Sequence, residues 1–428
     1  MFGLTMAMIG GCGVVCPRPA ARPCRDQLSL GVLASYVPRD VVDEAVEQAG
    51  KAARRSDVEL TPGFVVYFVM ALALFADDDY EEVALRMAGV LADWGEGFDP
   101  SSGGLSRARK RLGPRPLELV FSQVARPVAE EDTVGAFFGR WRVVSIDGLT
   151  FDAEASMENI AVFGQPGTAA GEASVTQVRG VTISECASHA PLLAALGPAG
   201  SGKGSGERTL ARPLLGQLDS DWILLADRGF YGFADWCAAD DSGAALLWRV
   251  GADLRLPVLR PFDDGSYLSV VIDPKARGRA RETLLATAAE GLPLDRARAR
   301  HVRVVEYDIP DRDGSGSGSQ ELFALITNVL GPADGQATAL AALYAWRWEH
   351  ETGNQQLKTY LRGPGKILRS RLPELVYQEV WGYLLTHYAL AALICRAATA
   401  AGIDPDRVRY KRTLRIVRRR VADPSFSP

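Results

Sequence analysis

The sequence predicts an α/β protein: a mixed sheet with helices, preceded by an all-α amino-terminal region and interrupted by a β-rich insertion. Three observations carry this. Residues 27–138 are patterned as helix. After residue 139 the pattern changes to short strands that are apolar on both faces, and long helical stretches return at 337–360 and 375–401. The 428 residues are 47% hydrophobic and 23% charged, an ordinary globular composition with room for two or three domains.

Residues 1–26 are expected to be a disordered tail. Ile9-Gly10-Gly11-Cys12 loosely resembles a lipoprotein cleavage box, but no Lys or Arg precedes it, so a start site assigned too early fits as well. Thr61-Pro62 is a helix start, an N-cap followed by proline, leading into the apolar run from Phe64 to Ala76. That run falls short of the roughly 20 residues a bilayer requires, so it reads as a buried helix and no membrane partner is expected. A second helix is expected over Tyr80 to Trp94. A basic helix follows from Leu105 to Leu112, stopped by Gly113-Pro114 before another begins at Leu117.

Beyond 139, Trp141 to Ile146 reads as a strand ending in Asp147-Gly148. Val175 to Ser184 reads as a further strand, Pro191 to Leu196 as a helix, and Trp222 to Ala226 as a strand ending in Asp227. His301 to Ile309 and Leu322 to Val329 flank a Gly/Ser-rich hairpin tip, Asp311 to Ser319. The expected division is 1–26 tail, 27–138 helical domain, 139–240 with 335–402 catalytic domain, 241–334 insertion and 403–428 basic segment.

Several chemistries are excluded. The cysteines at 186, 237 and 395 are isolated from one another, as in a reduced protein, and Cys12, Cys16 and Cys24 lack the second ligand pair a zinc site needs. The four histidines have no ligand spacing; His350 neighbours Glu351 but points about 100° away on a helix. Gly197-Pro198-Ala199-Gly200-Ser201-Gly202-Lys203-Gly204 nearly spells a phosphate-binding loop. It lacks the final Ser or Thr, and a helical stretch is expected before it where a strand is needed.

The net charge of −4 argues weakly against nucleic acid, but charge is segregated. Arg107, Arg109, Lys110, Arg111 and Arg115 cluster in 105–118 against Glu118. Residues 358–371 and 407–420 are basic with no acid. Such patches bind phosphate whatever the global sum, although solvated helix faces look the same in sequence.

Asp147 and Asp227 each follow a short apolar strand, a place where carboxylates converge in a crevice and where single aspartates also simply form turns. On the later helix, Tyr344, Arg347, Glu351 and Lys358 fall within a ~60° arc over about 21 Å if the helix is regular. One face then presents a phenol, a guanidinium, a carboxylate and an ammonium. An exposed salt-bridged face is the plain alternative, since Arg347 and Glu351 are an i,i+4 pair.

Tyr344-x2-Arg347-x3-Glu351-x6-Lys358, with Ile146-Asp147-Gly148 and Leu225-Ala226-Asp227-Arg228-Gly229-Phe230-Tyr231, resembles the signature of the insertion-sequence-four family of bacterial DDE transposases. Thr61 to Phe68 and Ala108 to Gly113 resemble that family's amino-terminal domain, and the likeness spans roughly residues 28–420. Leu149 departs from the Thr that often follows the Asp-Gly, and the carboxy terminus is expected to be shortened.

The resemblance implies a ribonuclease-H-like sheet with Asp147 on its first strand, Asp227 on its fourth and Glu351 on a later helix. It implies two Mg2+ ions, with Mn2+ an accepted substitute. Asp147 would bridge them, with Asp227 and Glu351 holding one each. It also implies cleavage by water, then attack by the 3′-hydroxyl, with a hairpin step on excision. The implied partners are the element's inverted repeats and target DNA, met by a homodimer on DNA in the cytoplasm. Tyr344, Arg347, Lys358, Arg228, Arg107, Arg109, Lys110 and Arg111 are the implied DNA contacts. Trp346, Trp348 or Trp236 could stack a displaced base, with core packing the plainer role. The rival reading is a catalytically inactive DNA-binding derivative acting as a repressor or standing as a decayed copy.

Overall fold

Caps and apolar runs account for the first helices of this computed structural model, which describes residues 31–53, 60–88, 100–168, 171–200, 206–308 and 322–420. They are α1 (Val32–Tyr36), α2 (Arg39–Gln48), α3 (Pro62–Leu74), α4 (Tyr80–Ala88), α5 (Ser102–Leu112) and α6 (Arg115–Val124). Thr61 Oγ1 accepts from the Phe64 N–H at 3.2 Å, capping the expected start, and Ser101 Oγ accepts from the Gly104 N–H at 3.2 Å, starting α5 three residues before the expected Leu105. Every residue of α3 from Gly63 to Leu74 is buried. No described helix is long and apolar enough to cross a membrane.

The sheet is built from β1 (Trp141–Glu154), β2 (Val175–Glu185), β3 (Pro191–Pro198), β4 (Trp222–Ala226), β5 (Ala245–Val250), β6 (Tyr267–Ile272), β7 (Ala299–Asp308) and β8 (Leu322–Thr327). Two-residue strands at Phe137–Phe138 and Arg260–Pro261 add to it. The spatial order is β3-β2-β1-β4-β5-β8-β7-β6. β1 is antiparallel to β2 and parallel to β4, and β4 is parallel to β5. The strands of the expected insertion therefore continue the same sheet, through antiparallel pairing of β8 with β5.

Intervening helices are α7 (Met157–Phe163), α8 (Glu207–Leu215), α9 (Phe233–Asp241) and α10 (Arg279–Ala289). After the sheet come α11 (Ala337–Tyr344), α12 (Trp348–Gln355), α13 (Pro373–Ala400) and α14 (Tyr410–Arg420). One apolar cluster joins α3, α6 and α13 to β1, β2 and β4. A Cβ at Gly382 of α13 would lie 2.9 Å from the Val69 carbonyl oxygen, so glycine is what lets α13 and α3 approach so closely.

Four expectations are corrected. The strand expected to end at Asp147 runs on to Glu154, because Leu149, Phe151 and Ala153 are buried in alternation with Thr150, Asp152 and Glu154. Pro191 to Leu196, expected as helix, belongs to strand β3. Pairing with β2 decides this, and β3 lies at the sheet margin, where prolines at 191 and 198 are tolerated. The near-phosphate loop thus follows a strand; its residues 201–205 lie outside the described ones.

The helix expected over 337–360 is irregular: a 3-10 turn at Ala345–Arg347 separates α11 from α12, and Gln356–Leu361 is π-helical. These segments change the angular step, so the ~60° arc computed for a regular helix does not hold. The tail 1–26, residues 89–94 of the helix expected to reach Trp94, the tip Asp311–Ser319 and residues 421–428 lie outside the described residues.

Candidate active site

Pairing of β1 with β4 runs from Arg142–Trp222 to Ser145–Leu225. Asp147 on β1 and Asp227, the residue just past the end of β4, each stand two positions beyond the last of these pairs, and continuing the register brings them alongside each other. Beyond this point β4 has ended and β1 continues against β2, so a crevice opens at the carboxyl end of β4. The β4–β5 register, Ala226 against Trp248, places Arg249 next to Asp227 on the other side. Arg249 Nη1 lies 3.9 Å from Asp227 Oδ1.

The two aspartates differ in environment. Asp147 Oδ1 accepts from the Gly148 N–H at 2.8 Å, and Oδ2 from Asn354 Nδ2 at 3.3 Å. Burial raises its carboxyl above the usual range, and the charge of Asp227 adds to this, while the Gly148 N–H, Arg347 and Lys358 pull it back. Asp227 Oδ1 is buried without a hydrogen-bond partner.

Helices α11 and α12 lie over this crevice, and His350 fixes α12 there. His350 is buried, with Nδ1 3.0 Å from the Ser145 carbonyl oxygen and Nε2 2.9 Å from Thr182 Oγ1. Ser145 is two residues before Asp147, and Thr182 is the residue paired with Asp147 on β2, so the imidazole grips the strand pair on the aspartate's own face. Burial pushes His350 down to about 3, so it is neutral. Tyr344 is also buried, its hydroxyl donating to the Ala226 carbonyl at 3.4 Å, just before Asp227. It braces the end of β4.

Arg347 is the common partner. Burial works against its charge, yet Tyr344, Asp227, Glu351 and Asp147 together hold its pKa above the ordinary value. Its Nη2 lies 3.3 Å from Glu351 Oε1, and its Nε is buried without a hydrogen-bond partner. Lys358 is half-buried; desolvation and Arg362 lower its pKa, partly offset by Asp147, Asp152 and Glu207.

All three carboxylates act on the charge of Arg347, and Glu351 pairs with it at 3.3 Å. Among the described residues, the one set of three ligand groups with all atoms within 4.8 Å of one another is His189, Glu349 and Asp406, not Asp147, Asp227 and Glu351. The physical reason is repulsion: three uncompensated carboxylates avoid one point, and Glu351, exposed on α12, turns to Arg347. The donor set nevertheless fits a hard divalent cation, being all oxygen and including the orphaned Asp227 Oδ1.

Of the expected DNA contacts, Arg228, Arg107, Lys110 and Arg111 are exposed. Arg109 is not: it is fully buried, bonded to Gln378 Oε1 at 2.7 Å, the Leu375 carbonyl at 3.2 Å and Tyr80 Oη, with Glu379 3.7 Å away. It ties α5 to α13 and is withdrawn from the DNA-contact set. Trp236 is core, edge-on to Trp248 at 5.4 Å; Trp346 is half-buried, and Trp348 is 59% exposed with the Arg347 guanidinium 5.1 Å above its ring.

Sequence reasoning missed His350, Asn354 and Arg249. Asn354 lies three residues past Glu351, a visible helical spacing. Arg249 was hidden because its strand was assigned to the insertion.

Residues 27–122, spanning α1 to most of α6, match the family described as insertion element 4 transposase N-terminal. The chain is also 24% identical over 395 residues to transposase InsG for insertion sequence element IS4 of Escherichia coli (strain K12), an alignment covering 91% of this chain and 82% of that protein. Both likenesses are to transposases of insertion element 4. A cryo-EM structure of a piggyBac transposase synaptic complex with hairpin DNA aligns at TM-score 0.46 with 11% identity, over 95% of this chain and 82% of that chain. The Arg109 network anchors α5, an element inside the family-matched region, to a helix at the other end of the chain.

Proposed function

We propose that this chain is a transposase that cuts and joins DNA by metal-dependent chemistry on Asp147, Asp227 and Glu351, on a ribonuclease-H-like core formed by β1 to β5 and the helices after them. The strand order β3-β2-β1-β4-β5, with β1 antiparallel to β2 and parallel to β4, supports the core assignment. The observation that carries the site is the register that aligns Asp147 with Asp227 beneath a helix bearing Arg347 and Glu351.

A phosphodiester is a stable anion, so its cleavage depends on charge neutralisation and alignment. Two Mg2+ ions, when bound by the three carboxylates, would activate the attacking oxygen and stabilise the leaving one. The chain's own residues do the rest. Asn354 and the Gly148 N–H orient Asp147, and Tyr344 braces the strand end before Asp227. Release of Glu351 from Arg347 frees both a carboxylate for the site and a planar guanidinium for a phosphate oxygen. Lys358 adds a point charge, and exposed Trp348 offers a stacking surface for an unpaired base. The substrates on this reading are the element's ends and target DNA, engaged by a dimer, with Arg107, Lys110, Arg111 and Arg228 as outer phosphate contacts. The expected division of the chain at residues 27–138, 139–240 with 335–402, 241–334 and 403–428 is part of the same proposal, except that β5 (Ala245–Val250), inside the expected insertion, is placed with the core.

The test is Mg2+-dependent cleavage of a duplex carrying the element's end by wild type and Asp227→Asn. A loss of about 1,000-fold in rate, about 4 kcal/mol in barrier, is expected. Equal cutting by both proteins defeats the proposal.

A further inference from the structure

We propose that α14 is a second seat for duplex DNA, gripping backbone phosphates beside the active site and rigidly indexed to it; the inference rests on the functional reading above. Tyr410, Leu414 and Val417 are buried on one face of α14. On the remaining surface, Arg409, Lys411, Arg412, Arg415, Arg418 and Arg419 line a groove of about 780 Å³. Residues 407–420 contain no acid. Lys411, Arg412, Arg415 and Arg419 are exposed and fall within roughly a 100° arc of an 11-residue helix about 16 Å long. Like charges so packed repel one another, and a polyanion relieves that repulsion.

Its position distinguishes this stripe from an ordinary solvated face. Tyr410 packs against Tyr360, ring centres 6.3 Å apart, and Lys411 Nζ sits 4.2 Å over the same ring. Tyr360 is two residues past Lys358 on the π-helical segment. Arg418 donates to the Leu361 carbonyl at 3.3 Å and the Leu74 carbonyl at 2.7 Å, fixing the far end of α14 to that segment and to α3.

A second clip lies ahead of the helix. His189 Nε2 is 3.1 Å from Glu349 Oε2 and 3.3 Å from Asp406 Oδ1, so the turn leading into α14 is joined to α12 two residues before Glu351. The basic groove is thus held at both ends by the elements that carry the candidate site. DNA leaving the reacting phosphodiester meets fixed charge there, and backbone contact of this kind positions the duplex without reading its sequence.

The experiment uses the full chain carrying Asp227→Asn, with and without Arg412→Ala, Arg415→Ala and Arg419→Ala together, binding a random-sequence duplex across a salt series. Each lost phosphate contact lowers the slope of log affinity against log salt by ~0.9, so the triple variant should be shallower by about 2 to 3. Replacing the three arginines with lysine should restore the slope, and an unchanged melting temperature separates charge loss from misfolding. An identical slope in the alanine triple overturns the proposal, and is the result expected if α14 serves an acidic protein or solvent alone. Failure of the catalytic reading shows elsewhere, as cleavage by Asp227→Asn.

Discussion

Asp147 on β1 and Asp227 just past the end of β4 each lie two residues beyond the paired Ser145 and Leu225 of these neighbouring parallel strands. Two carboxylates so placed repel each other, and burial together with Asp227 keeps the Asp147 carboxyl above its ordinary range. A fold gains no stability from that arrangement. Arg347 offsets part of the cost, its charge being coupled to both aspartates and to Glu351. On the proposed reading this is a site prepared for cations and phosphate, with an arginine as the resident counter-charge.

Arg347 therefore matters to chemistry more than to folding. Its helix is held by His350 on Ser145 and Thr182, independently of the guanidinium. Arg347→Ala should slow Mg2+-dependent cleavage about 100-fold, about 2.7 kcal/mol in barrier, with the circular dichroism spectrum and melting temperature nearly unchanged. An unfolded variant would mean that the Arg347–Glu351 pair is structural.

Neighbouring residues of α5 should separate cleanly. Arg109→Ala leaves Glu379 buried without its partner and should cost about 3–5 kcal/mol in urea unfolding. Lys110→Ala, at an exposed position, should alter stability by less than about 0.5 kcal/mol while weakening DNA binding. Equal destabilisation by the two would remove the assignment of Arg109 to the core.

His387 gives a pH signature. It is buried, with Nε2 3.2 Å from the His189 carbonyl oxygen and Nδ1 3.2 Å from Tyr410 Oη, and burial pushes it down from 6.5 to about 3. The folded chain keeps it neutral where the unfolded chain protonates it. Its contribution is thus complete above about pH 6.5 and falls as pH drops toward 3. Between pH 7.5 and 5.5 the loss should be about 1.4 kcal/mol, and His387→Gln should lack that component when urea midpoints are compared at the two values. Parallel pH dependence in wild type and variant would contradict a neutral His387.

Much of this was legible in sequence, and the exceptions have physical causes. Thr61 and Gly113 bound their helices as a cap and a stop do, because those signals are local, whereas α5 starts at Ser102, ahead of the expected Leu105, on the Ser101 cap. The continuation of β1 past Asp147 was visible as alternation from Leu149 to Glu154, but Gly148 masked it. β3 was misread because Leu192 to Leu196 favour helix locally and only pairing with β2 decides otherwise. The carboxylates were identifiable by motif, whereas their register, Asn354 and Arg249 depend on strands separated widely in the chain. Arg109 looked like its neighbours because nothing local distinguishes a buried arginine from an exposed one, and Gln378 lies at the far end of the sequence.

The most direct test of the central claim is anomalous diffraction from Mn2+ in crystals of the protein bound to the element's end DNA. A peak about 2.1 Å from oxygens of both Asp147 and Asp227, with Glu351 turned away from Arg347 to complete the site, is the predicted result. Manganese at His189, Glu349 and Asp406 with none between the two aspartates would contradict it.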